Sequence, residues 1–361
     1  LNIKKKKKKV LVSNAALIFQ YIATAFTALM LTPRIISFAG VADYGFIVVI
    51  LSIGTYVSIW INQSVPYKAV RDIALSMNPM EEMKCIKTIN SLKFKNLLMT
   101  LPIVFATVMV ASNERSMLIL CGLVVTGVST TISTSWVLQG KGKFKLLSVI
   151  SICASLITLL CGFNVTNLPM WLDAQSWSIL ILLMPQIVTA LVTFTIVKLQ
   201  YKDTICNEDD AAKSVGYIAA LKEDFPFLFS QLISGVYTSG GVIFVYYLAG
   251  DFDSGIFAGV DRLTNAAIGA MALIGVASYP ILSKMIQSNY KKYVKLTKEV
   301  LSIYMIASLA VGSLAIICSD TISKFLFHGK VLSEAVQVIQ GGCLWIQFGL
   351  LGPLLTNHLT L

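Results

Sequence analysis

Ten stretches of mostly apolar residues, 17 to 26 long, recur along this 361-residue chain. A helix needs about 20 such residues to cross the hydrocarbon of a bilayer, and in lipid every backbone polar group must bond inside its own element. The spacing predicts an all-α polytopic membrane protein with helices over 10–32, 44–67, 96–112, 117–138, 146–163, 177–198, 225–248, 254–279, 300–318 and 335–355. Gln337, Gln340 and Gln347 interrupt the last. Strand alternation of the outer-membrane barrel type is absent. Charged residues make up 13% of the chain, against about 25% in a soluble protein.

The loops orient the helices. With the N-terminus inside, the inner segments hold 24 of the 29 Lys and Arg. The outer loops hold Arg34, Arg115, Lys324 and Lys330, and Arg262 lies within a span. That bias follows the positive-inside rule and predicts a cytoplasmic N-terminus. Lys4 to Lys9 lead straight into an apolar run that continues to Leu31, which reads as a basic anchor and first span, not a cleaved signal. The net charge of +11 is confined to the segments between helices, so nucleic acid is not an expected partner. The bilayer is.

One short motif occurs twice. Ala39-Gly40-x-x-Asp43-x-Gly45 returns as Ala249-Gly250-x-x-Asp253-x-Gly255, each time between two apolar stretches on the outer side. Six spans separate the copies. An even number preserves orientation, so the halves are expected to be a parallel pseudo-repeat around a central cavity. The expected lobes are 1–198, with helices 1–6, and 225–361, with helices 7–10, joined by a cytoplasmic linker over 199–224. The second lobe supplies four helices to the first lobe's six. The chain also stops inside apolar sequence, so two further helices are expected beyond it, with a ten-helix protein as the alternative.

Chemistry-bearing clusters are sparse. The seven cysteines show no CxxC spacing, and His328 and His358 stand far apart, so no metal or redox site is expected. No paired carboxylates, nucleophile elbow or phosphate-binding glycine loop appears, and the outer loops are short. No catalytic residue is therefore expected. Asp261 and Arg262 stand out, because charge well inside a span is costly in lipid and commonly faces a watery interior.

Taken in order, a set of short segments resembles the polysaccharide flippases of the O-antigen transporter type, in the multidrug/oligosaccharidyl-lipid/polysaccharide exporter superfamily. They are Pro33-Arg34, Gly40 with Tyr44-Gly45, and Val70-Arg71-Asp72-Ile73-Ala74. Trp136-Val137-Leu138-Gln139-Gly140-Lys141-Gly142-Lys143-Phe144 follows, then Gly255-Ile256-Phe257 with Asp261-Arg262-Leu263, and Tyr279-Pro280. Such proteins have twelve or more helices in two six-helix lobes. The resemblance implies a carrier of undecaprenyl-diphosphate-linked glycan in the bacterial inner membrane, working by alternating access without a bound cofactor. A coupling proton or sodium ion, and a polysaccharide polymerase and chain-length regulator as protein partners, belong to the same implication. A drug or metabolite exporter of the superfamily, or a membrane polysaccharide polymerase, are the competing readings.

An anionic diphosphate and a polar glycan need a hydrated cavity with cationic and hydrogen-bonding walls. Arg262 is the first candidate, since its guanidinium fork suits phosphate oxygens. Asp261 is either its structural partner or a coupling site. Asn265 lies one turn further along the same side. Asn14 and Tyr21 share a face of the first helix, and Arg34 closes its outer end. Asn62 and Gln63 end the second helix, while Gln186, Gln231 and Tyr237 lie in helices 6 and 7. For most of these the competing role is hydrogen bonding between helices.

Overall fold

The computed structural model describes residues 2–63, 65–110, 113–164, 173–202, 217–288, 290–329 and 332–342; some side chains within these helices, chiefly those of 2–15 and 270–293, fall outside the description. The described residues form helices and short connections without a strand. In chain order they are α1 (Asn2–Ala39), α2 (Val41–Asn62), a π-helical turn (Val65–Ala69), α3 (Val70–Leu75), α4 (Pro79–Val110) and α5 (Asn113–Ile132). Then come α6 (Ser135–Gly140), α7 (Phe144–Phe163), α8 (Ala174–Gln200), α9 (Tyr217–Thr238) and α10 (Gly240–Ala249). Then follow α11 (Asp251–Ser288), α12 (Tyr290–Ile317) and α13 (Ser319–Leu326), and residues 333–342 are helical as well.

Six of the described helical stretches are long and apolar enough to span a membrane, or seven if α9 and α10, bent by 48° at their junction, count as one. The predicted spans 96–112 and 254–279 fall in α4 and α11, and 335–355 is described only to 342. Helix ends depart from the apolar limits. α1 runs through Pro33 to Ala39, and α4 starts at Pro79. Lys and Glu propagate a helix nearly as well as Leu, so a helix continues past the point where its hydrophobicity stops.

The chain packs into two compact units: residues 1–45 with 251–361, and residues 46–250. In the first, α1 lies along α11. In the second, α5 packs on α4 and α8, and α7 on α8. Phe46, Ile47, Ile50, Leu123, Ile179 and Leu183 form a core there, while Phe105, Leu160 and Leu191 point outward, as lipid-facing residues do.

The repeated motif makes the same corner twice. Gly40 (φ +92°) and Gly250 (φ +95°) each hold a left-sided backbone conformation between two helices. A side chain would strain that conformation, which is why the spacing puts glycine there. The first unit brings the turns that follow these corners into direct contact. A Cβ on Gly45 would strike the Asp251 carbonyl and Ser254; one on Gly255 would strike the Val41 carbonyl. The contact is reciprocal: the fifth residue after one corner meets the first residue after the other, in both directions.

Candidate functional site

In the first unit the candidates gather where α1 meets α11. From Asp251 to Arg262 the helix advances about 16 Å. The Tyr21 hydroxyl donates to the Asn265 carbonyl at 3.1 Å. The Tyr21 ring fills the space where a side chain on Gly269 would stand, so Gly269 is the gap that admits it. Asn265 is exposed, and its Nδ2 donates to Asp261 Oδ2 at 2.8 Å, as two residues four apart on one helix can. Asp261 is thus held by Asn265. Arg262 is half-buried, and among the described residues no carboxylate lies within 4.0 Å of it. Arg34, on α1, has a buried Nε without a hydrogen-bond partner among the described residues. Asn14 falls in α1, but its side chain is outside the described residues.

The second unit holds a separate polar cavity of about 370 Å³. Asn62 from α2, Lys93 from α4, Ser133 after α5, Trp136 and Gln139 from α6, and Gln186 from α8 line it. Lys93 is only 1% exposed and donates to the Ser133 carbonyl at 2.9 Å. Gln186 donates to Thr130 Oγ1 at 2.9 Å, and Thr130 shares a hydrogen bond of 2.9 Å with Ser58, tying α8, α5 and α2 together. Gln63, in a left-handed conformation at φ 42°, accepts through its carbonyl from the Gln231 amide. The side chain of Tyr237 is outside the described residues. The sequence-predicted residues therefore form one group in each unit: Tyr21, Asp261, Arg262 and Asn265 in the first, Asn62, Gln63, Gln186 and Gln231 in the second.

Lys93 and Trp136 were not singled out for the site by sequence reasoning. Lys93 stands in a charged run that reads as loop. A helical signal was nevertheless present: Lys93, Asn96 and Thr100 are spaced three and four apart and all three are buried. Such a polar stripe marks an inward face.

Next to this cavity the segments Val70–Ala74 and Trp136–Phe144 meet. Gly140 of α6 lies against Ile73 of α3, where a Cβ would press on the Ile73 side chain and the Val70 carbonyl. Val65, Ala69, Ile86, Val137, Val197 and Tyr201 close a small core around them. At its edge Glu82 takes an ion pair from Lys141 at 2.8 Å and a short hydrogen bond from the Tyr201 hydroxyl. Burial pushes the Glu82 carboxyl up, but hydrogen bonds from Lys141 and Tyr201 outweigh it and hold the carboxyl below its ordinary value. Burial, then the bond to Glu82, raises the Tyr201 phenol. Burial pulls Lys68 down, but Glu223, at 2.8 Å, and Asp224 more than offset it and hold the lysine above its ordinary value. Among the described residues no group of three His, Cys, Asp or Glu gathers as metal ligands.

Comparison with known proteins places this arrangement. A putative O-antigen transporter of Shigella dysenteriae is 28% identical over 163 residues, 45% of this chain and 39% of that protein, so the match spans less than half of its length. A multidrug resistance MATE family transporter of the MOP superfamily, solved in an inward-facing conformation, shares the fold. The likeness has a TM-score of 0.55 at 13% identity and covers 94% of this chain and 78% of that one. The polysaccharide biosynthesis protein family matches residues 7–286, well over half of the chain. The chain belongs to the polysaccharide biosynthesis protein family.

Proposed function

We propose that this chain carries a lipid-linked oligosaccharide from the inner to the outer leaflet of a bacterial cytoplasmic membrane, with its N-terminus inside. The observation that carries the reading is Arg262. It lies about eleven residues into α11, whose apolar stretch 254–279 reads as a span in the sequence, half-buried, with no carboxylate within 4.0 Å among the described residues. A cation left in that state is available to an anionic ligand, and a lipid-borne diphosphate is one whose shape suits guanidinium. Tyr21 and Asn265 fix the geometry beside it.

In this scheme the cargo enters from the cytoplasm and its diphosphate pairs with Arg262. The glycan would be solvated by amide and hydroxyl groups of the central cavity expected from the sequence, and Arg34 would meet the headgroup near the outer end. The reciprocal contact through Gly45 and Gly255 is the outer closure that must part before release. Asp261, with Asn265 as its donor, is the place for a coupling proton or sodium ion. The rocking halves of this scheme are the sequence lobes 1–198 and 225–361 about the linker 199–224, whose limits differ from those of the two compact units. No bond is made or broken, so the activity is transport, and a polymerase and chain-length regulator would act on what is delivered.

Disrupting the gene tests this. Lipid-linked oligosaccharide should still be made but remain on the cytoplasmic leaflet, and surface polysaccharide should be lost. Normal surface polysaccharide in the disruptant would remove the role. Arg262→Ala should fail to restore delivery while reaching the membrane in normal amount, and Arg262→Lys should restore it in part.

A further inference from the structure

The cavity in the second unit has the make-up of an anion site. Its Lys93 amine is enclosed, burial pulls its pKa down to about 7 so that a bound anion would favour the charged form, and among the described residues no carboxylate lies within 4.0 Å of it. One hydrogen bond, to the Ser133 carbonyl, is all it makes there, although an ammonium carries three donors. Trp136, on the same wall, has a buried indole N–H with no partner among the described residues. Gln139 and Asn62 add amide groups, and among the described residues no acidic side chain lines the cavity. A buried cation and a buried unpaired donor are both costly unless something answers them. The volume of about 370 Å³ holds roughly ten waters at ~30 Å³ each, so there is room for more than a single bridging water.

We infer that this cavity binds a phosphate-type oxyanion, held by Lys93 and Trp136 with Gln139 and Asn62 at its sides. The competing role for Lys93 is local: its bond to Ser133 caps the end of α5, where free carbonyls and the helix dipole favour a cation. A cap needs neither the cavity beside it nor an unpaired indole N–H. The anion has two possible sources, a free diphosphate in solution or the diphosphate head of a lipid. The site stands whether or not Arg262 handles cargo, because the two lie in different units.

The test uses the full chain in detergent and reads the melting temperature, which rises when a ligand binds the folded state. Sodium diphosphate is titrated against potassium chloride at matched ionic strength. In a parallel arm the protein is placed in phosphatidylcholine vesicles with and without a polyprenyl diphosphate. A saturable rise with the free salt assigns the site to a soluble anion; a rise with the lipid alone assigns it to a headgroup. Either result supports the site. Lys93→Gln should weaken the response about tenfold or more, and Lys93→Arg should retain most of it. Trp136→Phe and Gln139→Leu leave the bond to Ser133 in place and should each weaken the response several-fold. They decide the matter if Lys93→Gln does not fold. The inference is overturned if neither source gives a saturable rise, or if Trp136→Phe and Gln139→Leu both respond as the parent does.

Discussion

Asp261 and Arg262 are neighbours in sequence but meet different surroundings. Asp261 takes its hydrogen bond from Asn265, while Arg262 acts on it only through longer-range attraction, with no carboxylate oxygen within 4.0 Å among the described residues. Successive residues on a helix do not face each other, so the charges nearest in sequence need not pair. The Tyr21 contact separates into two parts that mutation can tell apart. Tyr21→Phe removes one hydrogen bond and keeps the ring beside Gly269; it should lower stability by about 1 kcal/mol. Gly269→Val evicts the ring, and overpacking of that kind should cost about 1–3 kcal/mol. Thermal melts of the two variants in one detergent check the order. Arg262, Asp261, Asn265 and Tyr21 were legible because a polar group inside an apolar run is conspicuous. Lys93 was harder to read, because it lies among other lysines and only its three-and-four spacing with Asn96 and Thr100 sets it apart in the sequence.

At the scale of the element, two of the segments that carry the family resemblance explain each other. The Val70–Ala74 segment and the segment from Trp136 to Phe144 are far apart in sequence, yet α3 and α6 touch through Gly140. Gly140→Val should separate them and lower the melting temperature, with a loss of about 1–3 kcal/mol. The ion pair at the edge of this core makes stability depend on pH. The Glu82 carboxyl is lowered on folding, so its contribution is fully present above its unfolded value. It is lost as pH falls through the lower folded value. Acid melts should therefore show a fall below the ordinary carboxylate range that flattens in Glu82→Gln. Hydropathy located most of the helices and misplaced their ends for one reason. It records where lipid stops, and α4 continues as a helix on the wet side of that boundary. Hydropathy alone reads residues 225–248 as one span, and the 48° bend between α9 and α10 falls where Ser239-Gly240-Gly241, a run of small residues, interrupts it. Gly240 sits there with Tyr56 so close that an added methyl would crowd its hydroxyl.

At the scale of the whole molecule, the two corners are the clearest case of sequence foretelling structure. The repeated spacing was visible in the chain, and the fold turns it into mutual contact. What spacing alone did not reveal is that the copies touch, because a motif gives a shape and not a partner. Gly45→Leu and Gly255→Leu should have the same phenotype: normal insertion, with delivery of polysaccharide to the surface strongly reduced. Combining them should be no worse than the more severe single change, because both strike one contact and such effects do not add. Surface polysaccharide measured against membrane level of each variant checks this. A patch that complements its own image is what identical chains present across a two-fold axis. A half-length ancestor bearing one such corner would already have fitted a second copy of itself. Duplication and fusion of its gene would then have required no new surface, only the retention of glycine at both ends.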